Sequence, residues 1–175
     1  ILELLVDVDH SKILLEAAME TGLPVWVGLS CCKNKNDGSI VGRNFSVENI
    51  KSLIYDEDEF PEAPKLLPED KIIPLKDIIL SLKAVGGDVY GIMHSWFEDS
   101  KAGLEILKEN WDGPIMFYPE IMLFDTSTGG AQITSTEKEF AESCQKLIDN
   151  RIRVIGGCCG VSDKHLNALV KKISP

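Results

Sequence analysis

Arg151-Ile152-Arg153-Val154-Ile155-Gly156-Gly157-Cys158-Cys159-Gly160 decides how the rest of the chain is read. A β-branched run enters two glycines, two adjacent cysteines and a third glycine, and a helix-like segment, Val161 to Val170, follows. This is a strand-turn-helix unit whose turn carries two thiols with little side-chain bulk around them. Neighbouring thiols at the carboxyl end of a strand suit a soft or borderline ion such as Zn²⁺.

Upstream the same unit recurs. Ile1 to Val8 reads as a strand, followed by a helix from about His10 to Thr21 with Asp9 or Ser11 as cap and Ile13, Leu14, Ala17 and Ala18 as apolar face. Val25 to Ser30 is the next strand. Leu75 to Ala84 has helical spacing, and Gly86-Gly87 ends it. Val89 to His94, Ser100 to Asn110 and Ile115 to Pro119 continue the alternation. Thr134-Ser135-Thr136-Glu137 has capping-box spacing for a helix reaching about Asp149, and Ser162 caps the last helix. Two stretches break the rhythm: residues 31–74, rich in proline and acid and read as an irregular insertion with a short helix near Ser46 to Tyr55, and residues 120–132. Apolar strands separated by amphipathic helices predict a parallel sheet covered by helices, either doubly wound or part of an eight-stranded barrel.

Composition narrows the function classes. At 175 residues and 44% apolar content the chain is long enough for one globular core. Its net charge of −10 opposes nucleic acid or an anionic membrane as partner. No apolar run reaches the roughly 18 residues that span a bilayer, and no glycine-rich phosphate loop follows the first strand. Five cysteines, two pairs of them adjacent, fit a reduced cytoplasmic chain better than a disulfide framework.

The segment Val154 to Gly160, followed by His165-Leu166, closely resembles the closing motif of the homocysteine S-methyltransferase family. Gly91-Ile92-Met93-His94 is similar to a family strand ending Gly-Val-Asn-Cys, Tyr118-Pro119-Glu120 to Tyr-Pro-Asn, and Glu3 in Leu2-Glu3-Leu4 to a strand-end glutamate. The resemblance implies a (β/α)8 barrel of which residues 1–175 form the last five β/α units. It also implies a zinc-dependent transferase that moves a methyl group from a small-molecule donor onto the thiol of homocysteine, giving methionine.

By the same resemblance Cys158 and Cys159 are zinc ligands, Glu3 holds the substrate amine, and Gly156 and Gly157 allow close backbone approach to metal or substrate. The family's third ligand is a cysteine; here His94 stands in its place. Three thiolates on Zn²⁺ carry a formal −1, whereas two thiolates and a neutral imidazole carry 0, which makes a bound thiolate less nucleophilic. A second copy or an N-terminal half is expected to cover the open barrel. Methyl transfer with another small thiol, and an inactive zinc-holding fragment that serves as an interaction module, are the alternatives. Cys31-Cys32 is expected to pack, with ligation second; Cys144 is expected in the core, and His165 in a structural role.

Overall fold

The computed structural model describes residues 1–5, 8–34, 37–42, 73–125 and 130–174. Five strands, β1 (Leu2–Leu5), β2 (Trp26–Leu29), β5 (Val89–Trp96), β6 (Ile115–Glu120) and β9 (Ile152–Ile155), form one parallel sheet in that spatial order. Among the described residues five helices accompany it: α1 (Val8–Met19), α2 (Leu75–Lys83), α3 (Phe97–Asn110), α4 (Glu137–Leu147) and α5 (Asp163–Ile173). Each strand pairs with the next in the chain and the order never reverses. A doubly wound sheet reverses at a switch point; a barrel wall does not.

The two faces of the sheet differ. Leu15 of α1, Leu75, Ile78, Ile79 and Leu82 of α2, Leu104 and Leu107 of α3, Phe140 and Cys144 of α4, and Leu169 of α5 all join one core with Val27, Leu29, Tyr90, Ile92, Ile115 and Phe117. Alternate residues of the same strands, Val89, Met93 and Met116 with Trp26, Tyr118 and Val154, form a smaller cluster made of strand residues alone. The period-2 alternation of a strand therefore sends one set of side chains to the helices and the other to a face that none of the described helices covers.

Several sequence expectations shift. On α1 the buried residues are Ser11 and Leu15, while Ile13 and Leu14 face outward. Ser11 lies inside the helix, which begins at Val8. Part of residues 31–74 is regular: β3 (Cys31–Lys33) and β4 (Ile40–Gly42) pair antiparallel. The helix expected near Ser46 to Tyr55 lies outside the described residues. The stretch after Glu120 is also a hairpin, β7 (Met122–Asp125) with β8 (Gly130–Ile133). It moves the cap of α4: Thr134 is tied to the hairpin, its N–H and Oγ1 both donating to the Ile121 carbonyl at 2.9 Å. The capping box falls instead on Thr136 and Glu139. No described helix is long and apolar enough to cross a membrane.

Candidate metal centre

The site lies where β5, β6 and β9 end, at the carboxyl edge of the sheet. Beyond Ile155 the chain leaves the strand but stays laced to β6. Gly156 N–H donates to the Phe117 carbonyl at 3.0 Å, Cys158 N–H to the Pro119 carbonyl at 3.0 Å, and Ile121 N–H to the Cys159 carbonyl at 2.9 Å. This lacing sets the two thiols beside the last residue of β6, Glu120. Cys158 Sγ and Cys159 Sγ are 3.8 Å apart. The Glu120 carboxylate and both sulfurs lie within 4.8 Å of one another. Glu120 is only 8% exposed.

The glycine frame gives room to the chain's own side chains. A Cβ on Gly156 would run into the Tyr118 ring, and one on Gly157 into Val161. Gly160 takes φ +86°, a conformation that costs little only for glycine, and turns the chain into α5.

His94 reaches the site from β5. Its Nδ1 lies 2.9 Å from Cys158 Sγ, and its Nε2 is 3.6 Å from Glu3 Oε2 on β1. Glu3, His94 and Cys158 thus form a line of carboxylate, imidazole and thiol. A glutamate within an apolar strand suggests burial, but the Glu3 side chain is 58% exposed because β1 is an edge of the sheet.

Burial pushes the Cys158 thiol up to about 11, opposed by the Cys159 N–H; the nearby Cys159 and Glu120 push further in the same direction. Two thiols and a carboxylate crowded together are a set of acidic donors that a divalent cation would deprotonate and hold. The spacing suits one: sulfurs bound to a single tetrahedral ion at about 2.3 Å sit about 3.8 Å apart. The donor set therefore fits a soft or borderline divalent metal.

The other cysteines and the last histidine lie elsewhere. Cys31 is buried under α3, its thiol donating to the Asp99 carbonyl at 3.5 Å and its N–H to Ser95 Oγ at 2.8 Å. Neither Cys31 nor Cys32 belongs to the donor group found among the described residues. Cys144 is in the core, where burial pushes its thiol up to about 12. His165 is structural: Nδ1 accepts from Ser162 N–H at 3.1 Å, which leaves the ring proton on Nε2, 3.3 Å from the Ser135 carbonyl. Its ring meets Phe140 edge-on at 5.7 Å.

Sequence reasoning did not assign Glu120 to the donor set. The available signal was its position, a charged residue closing an apolar strand directly after Pro119.

No curated protein matches the chain. Among solved structures, the metallated form of homocysteine methyltransferase MmuM from Escherichia coli is similar at 19% identity, over 95% of this chain and 52% of that one, with a TM-score of 0.43. Its apo form is similar at 17% identity, over 95% and 58%, with a TM-score of 0.44. The chain thus spans about half the length of these proteins. Residues 74–173, which contain β5, β6, β9, His94, Glu120 and both site cysteines, match the homocysteine S-methyltransferase family, and the chain belongs to that family.

Proposed function

We propose that this chain is part of a (β/α)8 barrel that transfers a methyl group to the thiol of homocysteine, giving methionine, with Zn²⁺ held at Cys158 and Cys159. The observation that carries the reading is the pair of thiols 3.8 Å apart at the carboxyl edge of the sheet, within reach of Glu120 and His94. Catalytic sites of barrels are built at that edge. Two features favour a barrel over an open sheet: the strand order runs one way, and all five described helices serve one face. The remaining barrel strands, or a second copy of the chain, would cover the face without helices.

When bound, Zn²⁺ supplies Lewis acidity that keeps a substrate thiol deprotonated near neutral pH. Cys158 and Cys159 would hold the ion, with His94 or Glu120 as further donor. Glu3 would receive the substrate ammonium, a role supported by its exposure at an edge of the described sheet. Gly156 and Gly157 keep the backbone next to the metal free of side chains that would displace Tyr118 and Val161. The substrate sulfur then forms a bond to the methyl carbon while the bond between methyl and the donor's heteroatom breaks, its electron pair leaving with the donor. We read the chain as cytoplasmic, a reading supported by five cysteines, two pairs of them adjacent, that suit a reducing compartment better than a disulfide framework.

Metal content and activity test this together. Wild type is expected to carry about one zinc per chain and to methylate homocysteine with at least one donor from a panel of sulfonium, quaternary-ammonium and folate compounds. Cys158→Ser is expected to lose both properties. A folded wild type without zinc overturns the proposal.

A further inference from the structure

Glu120, His94 and Glu3 gather around the two thiols, and the geometry separates them into two layers. We infer that Glu120, and not His94, completes the protein's metal donor set with Cys158 and Cys159, while His94, with the Glu3 carboxylate beside its far nitrogen, acts from outside the set to orient the Cys158 sulfur. The inference rests on the metal-dependent reading above and assigns its donors.

Distance is the first argument. A sulfur and a nitrogen bound to one tetrahedral zinc lie about 3.5 Å apart, but His94 Nδ1 is 2.9 Å from Cys158 Sγ. That is a hydrogen-bonding contact between the two side chains. His94 is also absent from the group whose donor atoms are mutually close, which consists of Glu120, Cys158 and Cys159. Backbone anchoring is the second argument. Glu120 ends β6, and the turn after β9 that carries the cysteines is hydrogen-bonded to that segment through Cys158 N–H to the Pro119 carbonyl and Ile121 N–H to the Cys159 carbonyl. The three donors are therefore fixed relative to one another before a metal arrives, as a preorganised site requires.

Charge is the third. Two thiolates and a carboxylate on Zn²⁺ carry a formal −1; with His94 in place of Glu120 the sum is 0. The more negative set leaves a bound substrate thiolate more electron-rich and so the better nucleophile. The outer pair has a recognised form. His94 Nε2 faces Glu3 Oε2 at 3.6 Å while Nδ1 faces the sulfur, so a carboxylate fixes the ring that in turn fixes a ligand.

X-ray absorption fine structure of the zinc-loaded wild-type chain tests the assignment without relying on activity. The expected first shell contains two sulfurs and light oxygen-type donors, with no outer-shell scattering from an imidazole. Chelator competition on Glu120→Gln, which keeps the shape and removes the anion, is expected to show zinc affinity at least tenfold weaker. His94→Gln is expected to retain one zinc per chain with the first shell unchanged. Imidazole scattering in wild type that disappears in His94→Gln overturns the inference, as does Glu120→Gln binding zinc as tightly as wild type. A wrong donor assignment leaves zinc on the wild-type chain in a different shell. Failure of the metal-dependent reading itself leaves the folded wild type with none, so the two failures are distinguishable.

Discussion

His94 has φ +48°, a left-handed backbone conformation that non-glycine residues seldom adopt, though histidine does so more often than most. It sits where β5 slips register against β6, between Met93 and Trp96. The kink carries the imidazole toward Cys158. Strain of this kind is stored where surrounding structure over-determines it. Two substitutions isolate its size, because both delete the ring. His94→Gly removes the ring and relaxes the backbone; His94→Ala removes the ring and keeps the strain. Glycine is expected to be the more stable of the two by about 1 kcal/mol in urea unfolding. Equal stabilities would mean that the backbone at 94 is relaxed. Cys158 and Cys159 were legible in the sequence because adjacent thiols in a glycine frame carry their chemistry locally. Glu120 was legible as a residue at a strand end but not as a donor, because its neighbours depend on which strand the turn after β9 pairs with. The exposure of Glu3 was not legible for a related reason: local apolarity says nothing about which strand becomes an edge.

At the scale of elements, the alternation of strands and helices could be read from periodicity because every unit repeats the same pattern of apolar run, breaker and amphipathic stretch. The two hairpins could not. Cys31–Lys33 and Ile40–Gly42, like Met122–Asp125 and Gly130–Ile133, are strands of three or four residues, and such strands carry too few alternations to register as a period. Thr134 shows how a hairpin alters its neighbour, since committing its side chain to Ile121 leaves the helix cap to Thr136. The turn into β9 is governed by Asp149, whose Oδ1 accepts from the backbone N–H of Arg151 at 2.9 Å and of Ile152 at 3.3 Å. Its Oδ2 lies 2.9 Å from Lys108 Nζ on α3. The hydrogen bond from Lys108, opposed by desolvation and aided by the two N–H groups, holds the Asp149 carboxyl below the ordinary aspartate value near 3.8. A depressed carboxyl stabilises the fold above its unfolded value, and the contribution is lost as pH falls through the folded one. Asp149→Asn keeps an acceptor for the turn and removes the charge. At neutral pH it is expected to cost roughly 0.5–1 kcal/mol, modest because the carboxylate is partly exposed to solvent. In acid, below the folded value, wild type and variant should unfold alike; a gap that persists there would assign the effect to the turn and not to the charge.

On the scale of the whole molecule, the sheet's one-directional order and the gathering of the described helices on one face both depend on long-range pairing that no local pattern reports. Periodicity alone left a doubly wound sheet and part of a barrel equally open. The same order makes β9 an edge of the described sheet, held on one side only, by β6. The proposed metal site spans that seam, with Glu120 at the end of β6 and the cysteines just past the end of β9. A bound ion would therefore add a second fastening to an edge strand. Binding to the folded state alone stabilises it by about 2.7 kcal/mol when free metal is about 100 times its dissociation constant. For a chain of this length each kcal/mol raises the melting temperature by roughly 2–4 °C, so zinc should raise it by on the order of 5–10 °C. The increase should be reversed by a chelator and absent in Cys158→Ser. Amide hydrogen exchange locates the effect: protection should grow in Ile152–Ile155 and the following turn more than in β2, at the far side of the sheet. A melting increase of equal size in Cys158→Ser would place the stabilising ion somewhere other than this seam.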